Sequence, residues 1–113
     1  MTAIDTKAWL TACTKTDLVA QSGVAVLVNN QQIALFYLPE NDTIYALDNF
    51  CPFSAANVIA RGIVGDLKGQ LVVASPIYKQ HFSLLSGVCL EDSQVALKVY
   101  EVKVQADIIQ IAL

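Results

Sequence analysis

The sequence predicts an all-β domain, a sandwich or barrel of short antiparallel strands. Three observations carry that reading. Runs rich in β-branched and aromatic residues recur at a spacing of roughly ten residues. Glycine, proline and paired asparagines punctuate them. Only the first twenty residues and Ala55–Ala60 leave room for helix, and then for a turn or two. With 113 residues there is space for one core, so 1–113 is expected to be a single domain.

Each strand follows from its local pattern. Val24–Val28 is an apolar run, and Asn29-Asn30 separates it from Gln31–Leu38. Asparagine tolerates positive φ, so this pair predicts a tight hairpin. Pro39–Asp42 is a loop, and Thr43–Leu47 is the next strand. Leu71–Ala74 follows Gly69 and stops before Pro76, while His81–Leu85 ends at Ser86-Gly87. Leu97–Val104 alternates, which predicts one strand with Lys98, Tyr100, Val102 and Val104 on one face. Gln105–Asp107 turns the chain into Ile108–Leu113.

Composition removes several function classes. Hydrophobic residues make up 55% and charged residues 15%, which excludes intrinsic disorder. The stretch 18–39 carries no charge, yet it holds Gln21, Ser22, Asn29, Asn30, Gln31 and Gln32. A spanning helix needs about 20 predominantly apolar residues, so no membrane segment is expected. Seven basic residues stand against ten acidic ones and are scattered, so nucleic-acid binding is not expected. No basic segment with an apolar run opens the sequence, so no signal peptide is expected. The three cysteines, Cys13, Cys51 and Cys89, then suggest free thiols in a reducing cytoplasm. Cys13 and Cys89 are expected to be small buried hydrophobes.

Catalytic constellations are hard to find. His81 is the only histidine, and Ser83 shares its strand face, but no G-x-S-x-G elbow surrounds that serine. Gly62 and Gly65 lie in no phosphate-binding arrangement and read as turn residues. Cys and His together number four, and none are spaced as C-x2-C, so no metal site is expected. His81 and Cys89 could meet across the Ser86-Gly87 turn. No catalytic residue and no small-molecule ligand is assigned.

Two stretches carry a resemblance. Asn49-Phe-Cys-Pro-Phe-Ser-Ala-Ala56 and Ser75-Pro-Ile-Tyr-Lys-Gln-His-Phe-Ser-Leu-Leu-Ser-Gly87 resemble the two loops of a Rieske domain, placing degenerate cluster loops at about 49–58 and 75–87. In that family N-x-C-P-H-x-G-A and C-P-x-H-G-W-x-F-x-x-x-x-G hold a [2Fe–2S] cluster through two Cys and two His. The prolines, Phe82 and Gly87 are kept, but the ligands are not. Cys51 stands at a ligand position, Phe53 replaces the first His, Ser75 the second Cys and Tyr78 the second His. One thiolate cannot hold a cluster, so none is expected. Phe53 and Tyr78 are expected to fill part of the vacated space.

Pro52-Phe-Ser-Ala-Ala-Asn-Val-Ile-Ala-Arg-Gly-Ile-Val-Gly-Asp66 and Val72-Val-Ala-Ser-Pro-Ile-Tyr-Lys-Gln-His-Phe-Ser-Leu84 extend the likeness over nearly the whole chain. They resemble the small-subunit family of bacterial NADH-dependent assimilatory nitrite reductases. The resemblance implies an accessory subunit without cofactors. Its partner would be a large subunit bearing FAD, an iron–sulfur cluster and sirohaem, which reduces nitrite to ammonium. Lys79, Gln80 and His81 lie just beyond the lost ligands and are the expected docking residues. Two alternatives stand beside this reading: a Rieske ferredoxin carrying electrons, and a cluster-less β module with another partner.

Overall fold

In the computed structural model, residues 8–77 and 79–113 are described. They form β1 (Trp9–Thr14), β2 (Gly23–Val28), β3 (Gln31–Leu38), β4 (Thr43–Asp48), β5 (Phe50–Cys51), β6 (Ala56–Asn57), β7 (Ile63–Leu67), β8 (Gln70–Ala74), β9 (His81–Ser83), β10 (Val99–Tyr100), β11 (Val102–Gln105) and β12 (Ile108–Ala112). Pairing among them is antiparallel throughout. Single 3-10 turns at Lys15–Asp17, Pro39–Asn41 and Ile59–Arg61 are the only helical elements among the described residues.

A central sheet, ordered β10-β4-β3-β2, is the middle layer. Its strand β3 is apolar from Ile33 to Leu38, which requires cover on both faces. Ala34, Phe36 and Leu38 point into a first core with Leu47, Cys51, Ile59, Val73, Phe82 and Cys89. Ile33 and Leu35 point the other way, into a second core with Val28, Ala46, Tyr100, Ile109 and Ile111. The sheet β1-β12-β11 closes the second core, and the sheet β7-β8-β9 closes the first. The small ribbon β5-β6 caps the first core beside β9 and carries Cys51.

Turn chemistry agrees with the sequence at two of the three two-residue hairpins, the third being Lys68-Gly69 between β7 and β8, with φ of 54° and 82°. Asn29 and Asn30 have φ of 50° and 66°, and Ala106 and Asp107 have φ of 48° and 68°. Two consecutive left-handed residues match the twist of the flanking strands. At Gly87, φ is +79° and a Cβ would stand 2.0 Å from the Leu97 carbonyl oxygen, so no other residue fits that turn without displacement.

Three expectations need correction, at Leu97–Val104, Gly65 and Cys13, and the room left for helix is used sparingly. The room left for a turn or two of helix in the first twenty residues is taken by the 3-10 turn Lys15–Asp17 alone among the described residues; Trp9–Thr14 pairs with β12, and Leu10, Ala12 and Cys13 pack toward the second core. Thr14 ends the strand because the Asp17 carboxylate accepts from its N–H and hydroxyl. Residues 55–60 hold the short strand β6 and the start of the Ile59–Arg61 turn. Leu97–Val104 is not one strand. Val99-Tyr100 pairs with β4, Val102–Gln105 pairs with β12, and the chain changes sheets at Glu101, whose carbonyl accepts from Ala112 N–H. Tyr100 and Val102 do face the second core, whereas Lys98 and Val104 are exposed. Gly65 lies inside β7, paired with Val72, where the sequence suggested a turn. Cys89 is fully buried as expected, but Cys13 only half so.

Candidate functional site

The two loops of the resemblance meet at one end of the fold, here called the tip. Each is pinned from below. Asn49 is 2% exposed and holds four bonds. Its N–H donates to Gln32 O at 3.1 Å, and its Nδ2 donates to Gln32 Oε1 at 3.0 Å. Its Oδ1 accepts Ala60 N–H at 2.7 Å, and its carbonyl accepts Ile59 N–H at 3.1 Å. A buried amide with these partners fixes both ends of the 50–58 loop. Ala55 N–H closes that loop onto Cys51 O at 2.8 Å, with Ala55 at φ 53°. The second loop closes on Ser75. Its N–H donates to Gln80 O at 2.8 Å, its carbonyl accepts Lys79 N–H at 3.1 Å, and Lys79 takes φ 60°.

Cys51 and Ser75 join the loops, Sγ to Oγ at 3.7 Å, with both residues buried. Burial pushes the Cys51 thiol up. Hydrogen bonding from the Ser54 hydroxyl and N–H, the Ser75 hydroxyl and Phe53 N–H outweighs it, and the thiol sits below its ordinary value. The Ser54 hydroxyl is itself buried without a partner in ordinary hydrogen-bond geometry, so it acts on the thiol as a nearby dipole. Phe53 is half-buried against the first core, its ring 6.1 Å from that of Phe82 and inclined by 45°. The expectation placed on Tyr78 falls outside the described residues.

These residues do not fit a Rieske cluster. Two thiolates and two imidazoles are required. Cys51 is one thiol, Ser75 offers only a hydroxyl turned toward that thiol, and Phe53 offers an apolar ring turned into the core. Among the described residues, no three His, Cys, Asp or Glu side chains are grouped to share a metal ion.

The candidate docking residues are placed unequally. Lys79 is exposed, while Gln80 and His81 are half-buried. His81 Nδ1 lies 2.7 Å from Glu91 Oε2, and His81 N–H donates to Glu91 Oε1 at 2.8 Å. Cys89 Sγ lies 3.6 Å from the same Oε1. His81 and Cys89 therefore do approach each other, through a shared carboxylate that the sequence reading missed. The bridge between Phe82 and Cys89 and the Leu90 N–H bond to His81 O bring Glu91 alongside His81, and no local spacing signals it. Burial raises the Glu91 carboxyl, but the His81 N–H, ring and charge prevail and hold it below its usual range. Ser83 is no nucleophile partner for His81, since its Oγ accepts Leu85 and Ser86 N–H at 3.2 Å each and caps the turn.

The described geometry agrees with what other proteins show. The family model for a Rieske-like [2Fe-2S] domain matches residues 8–112. The chain is 36% identical over 103 residues to the nitrite reductase (NADH) small subunit of Escherichia coli K12, covering 91% of this chain and 95% of that protein. It is 37% identical over 103 residues to the nitrite reductase [NAD(P)H] large subunit of Klebsiella oxytoca, where the match spans 11% of that protein. A crystal structure described as an NADH-dependent nitrite reductase small subunit from Mycobacterium tuberculosis superposes with a TM-score of 0.88 at 43% identity, covering 96% of this chain and 97% of that one. The chain belongs to the Rieske-like [2Fe–2S] domain family and, within it, to the small subunits of NADH-dependent nitrite reductase.

Proposed function

We propose that this chain is the non-catalytic small subunit of a cytoplasmic NADH-dependent nitrite reductase, docked on a large subunit that reduces nitrite to ammonium. The identity to the E. coli small subunit over nearly the full length of both proteins carries this reading. FAD, the iron–sulfur cluster and sirohaem belong to the large subunit, and this chain holds none of them. The donor set at the tip supports that division, because one thiol and one hydroxyl cannot replace two thiolates and two imidazoles. Residues 50–58 and 75–81, with Lys79, Gln80 and His81, face the partner.

The same donor set argues against the ferredoxin alternative. A β module with an unrelated partner predicts a different outcome in one assay. Nitrite-dependent NADH oxidation by the large subunit is measured with and without this chain. A rise in rate, or in its persistence, is the expected result. No binding and no change in rate would leave only the shared fold.

A further inference from the structure

Three of the large apolar side chains exposed on the described surface lie around the tip. Phe50 is 48% exposed, Ile63 76% and Ile77 47%. Their placement follows from register. Phe50 precedes Cys51 on β5 and points outward where Cys51 points inward. Ile77 lies two residues beyond Ser75, the residue that touches Cys51. Ile63 pairs with Ala74, the last residue of β8 before that loop. Gly62, just ahead of Ile63, is pressed against this strand end: a Cβ there would meet the Ala74 carbonyl oxygen at 2.4 Å.

The charges beside these side chains run against the chain as a whole. The net charge is −3, yet the exposed Arg61 and Lys79 lie two residues from Ile63 and Ile77, while Asp48, two residues before Phe50, accepts from the Tyr100 hydroxyl and the exposed Asp66 lies three residues beyond Ile63. The nearby Glu91 carboxylate is engaged by His81. The supporting loops are pinned by Asn49 and by the Ser75 bonds, so the apolar groups are held in place before any partner arrives. Exposed apolar side chains on a pre-ordered support, rimmed by charge, are the anatomy of a protein interface centre.

We infer that Phe50, Ile63 and Ile77 form the apolar centre of the face that binds the nitrite reductase large subunit, with Arg61 and Lys79 meeting acidic groups at its rim. The inference rests on the proposed function and sharpens it: Ile63 lies outside both loops, and apolar burial rather than the 79–81 polar run supplies most of the affinity. The K. oxytoca relative argues for this occupant, since one polypeptide there contains both a domain of this kind and the rest of a large subunit.

The test is the affinity of the purified small subunit for the large subunit of the same organism. Variants Phe50→Asp, Ile63→Asp and Ile77→Asp are compared with Leu85→Asp. Leu85 is 78% exposed but lies past the 75–81 segment, next to Leu84, whose N–H bonds Leu71 O at the start of β8, the end of that strand far from Ser75. Thermal melts confirm that each variant is folded, and Ile63→Ser replaces any that is not. The expected result is binding weakened about tenfold or more by each tip variant and unchanged by Leu85→Asp. Tip variants that bind like the parent would overturn the inference while leaving the proposed function standing. Equal losses at Leu85 and at the tip would also overturn it. A parent protein that does not bind at all would remove the proposed function, and the inference with it.

Discussion

The two cores on either side of the central sheet are built by different rules. The second core, between that sheet and β1-β12-β11, is mostly aliphatic, with Tyr100 as its one buried aromatic ring. Tyr100 sends its hydroxyl to Asp48 and Gln31. The first core is capped by the tip and holds Phe36, Phe82, Cys51 and Cys89, with Asn49 and Ser75 buried at its upper edge. Polar groups are buried there because two irregular loops must be closed, and each closing bond needs a partner. In a Rieske protein the metal would tie these loops together. Here the tie is made by the Cys51–Ser75 contact, the Asn49 bonds and the packing of Phe53 on Phe82. The comparison teaches that packing and hydrogen bonds can close two irregular loops where the four donors of a cluster are not present.

The largest expected effect separates the cores by consequence. Phe82→Ala removes a fully buried ring that supports Phe53, and should cost about 3–5 kcal/mol in a denaturant melt. Ile111→Ala in the second core should cost about 2–5 kcal/mol, yet leave affinity for the large subunit unchanged in the fraction that is folded. Equal loss of affinity in both variants would break the distinction between a tip-bearing core and a supporting one.

Asn49→Ala comes next. It leaves the half-buried Ala60 N–H without its partner, while the exposed Gln32 amide can turn to water, and should cost about 1–3 kcal/mol, the range for one buried polar group left unsatisfied. Increased protease cleavage within 50–58 would localise the damage to the tip.

Tyr100→Phe probes the other side and should cost about 1–2 kcal/mol, since its hydroxyl bonds a carboxylate. Burial, then the Asp48 bond and charge, push this phenol far above its ordinary 10.0. A raised value means that the contribution is fully present below the unfolded value. It is lost as pH climbs from there toward the folded value. Stability of the parent should therefore fall above about pH 10, and Tyr100→Phe should flatten that limb.

The smallest effect is at Glu91. Its carboxyl is held below its ordinary 4.5 by His81, so its contribution is present above that value and fades as pH falls through the folded one. The pair is partly solvated, so Glu91→Gln should cost less than about 1 kcal/mol near neutrality. A shallower loss of stability on acidification, followed by circular dichroism, would be its signature.

Much of this contrast was legible in the residues. Asn29-Asn30 announced its hairpin because few residues accept left-handed φ twice in succession. The lost ligands could be read directly, since Phe53 has no donor atom. Other features were hidden for stated reasons. Alternation runs unbroken from Lys98 to Val104 because Tyr100 and Val102 both serve the second core, although they belong to different sheets. Period alone does not register a change of partner strand. Trp9–Thr14 looked free to coil, and only pairing with the distant β12 makes it a strand. The Glu91 bridge between His81 and Cys89 depends on register across a turn, and the exposure of Ile63 depends on β7 being a sheet edge.

The most direct measurement is iron and acid-labile sulfide on protein purified without oxygen, with its visible spectrum recorded alongside. Closure by packing predicts a folded, colourless protein with neither element in stoichiometric amount. Stoichiometric iron and sulfide with a Rieske-type spectrum would contradict it.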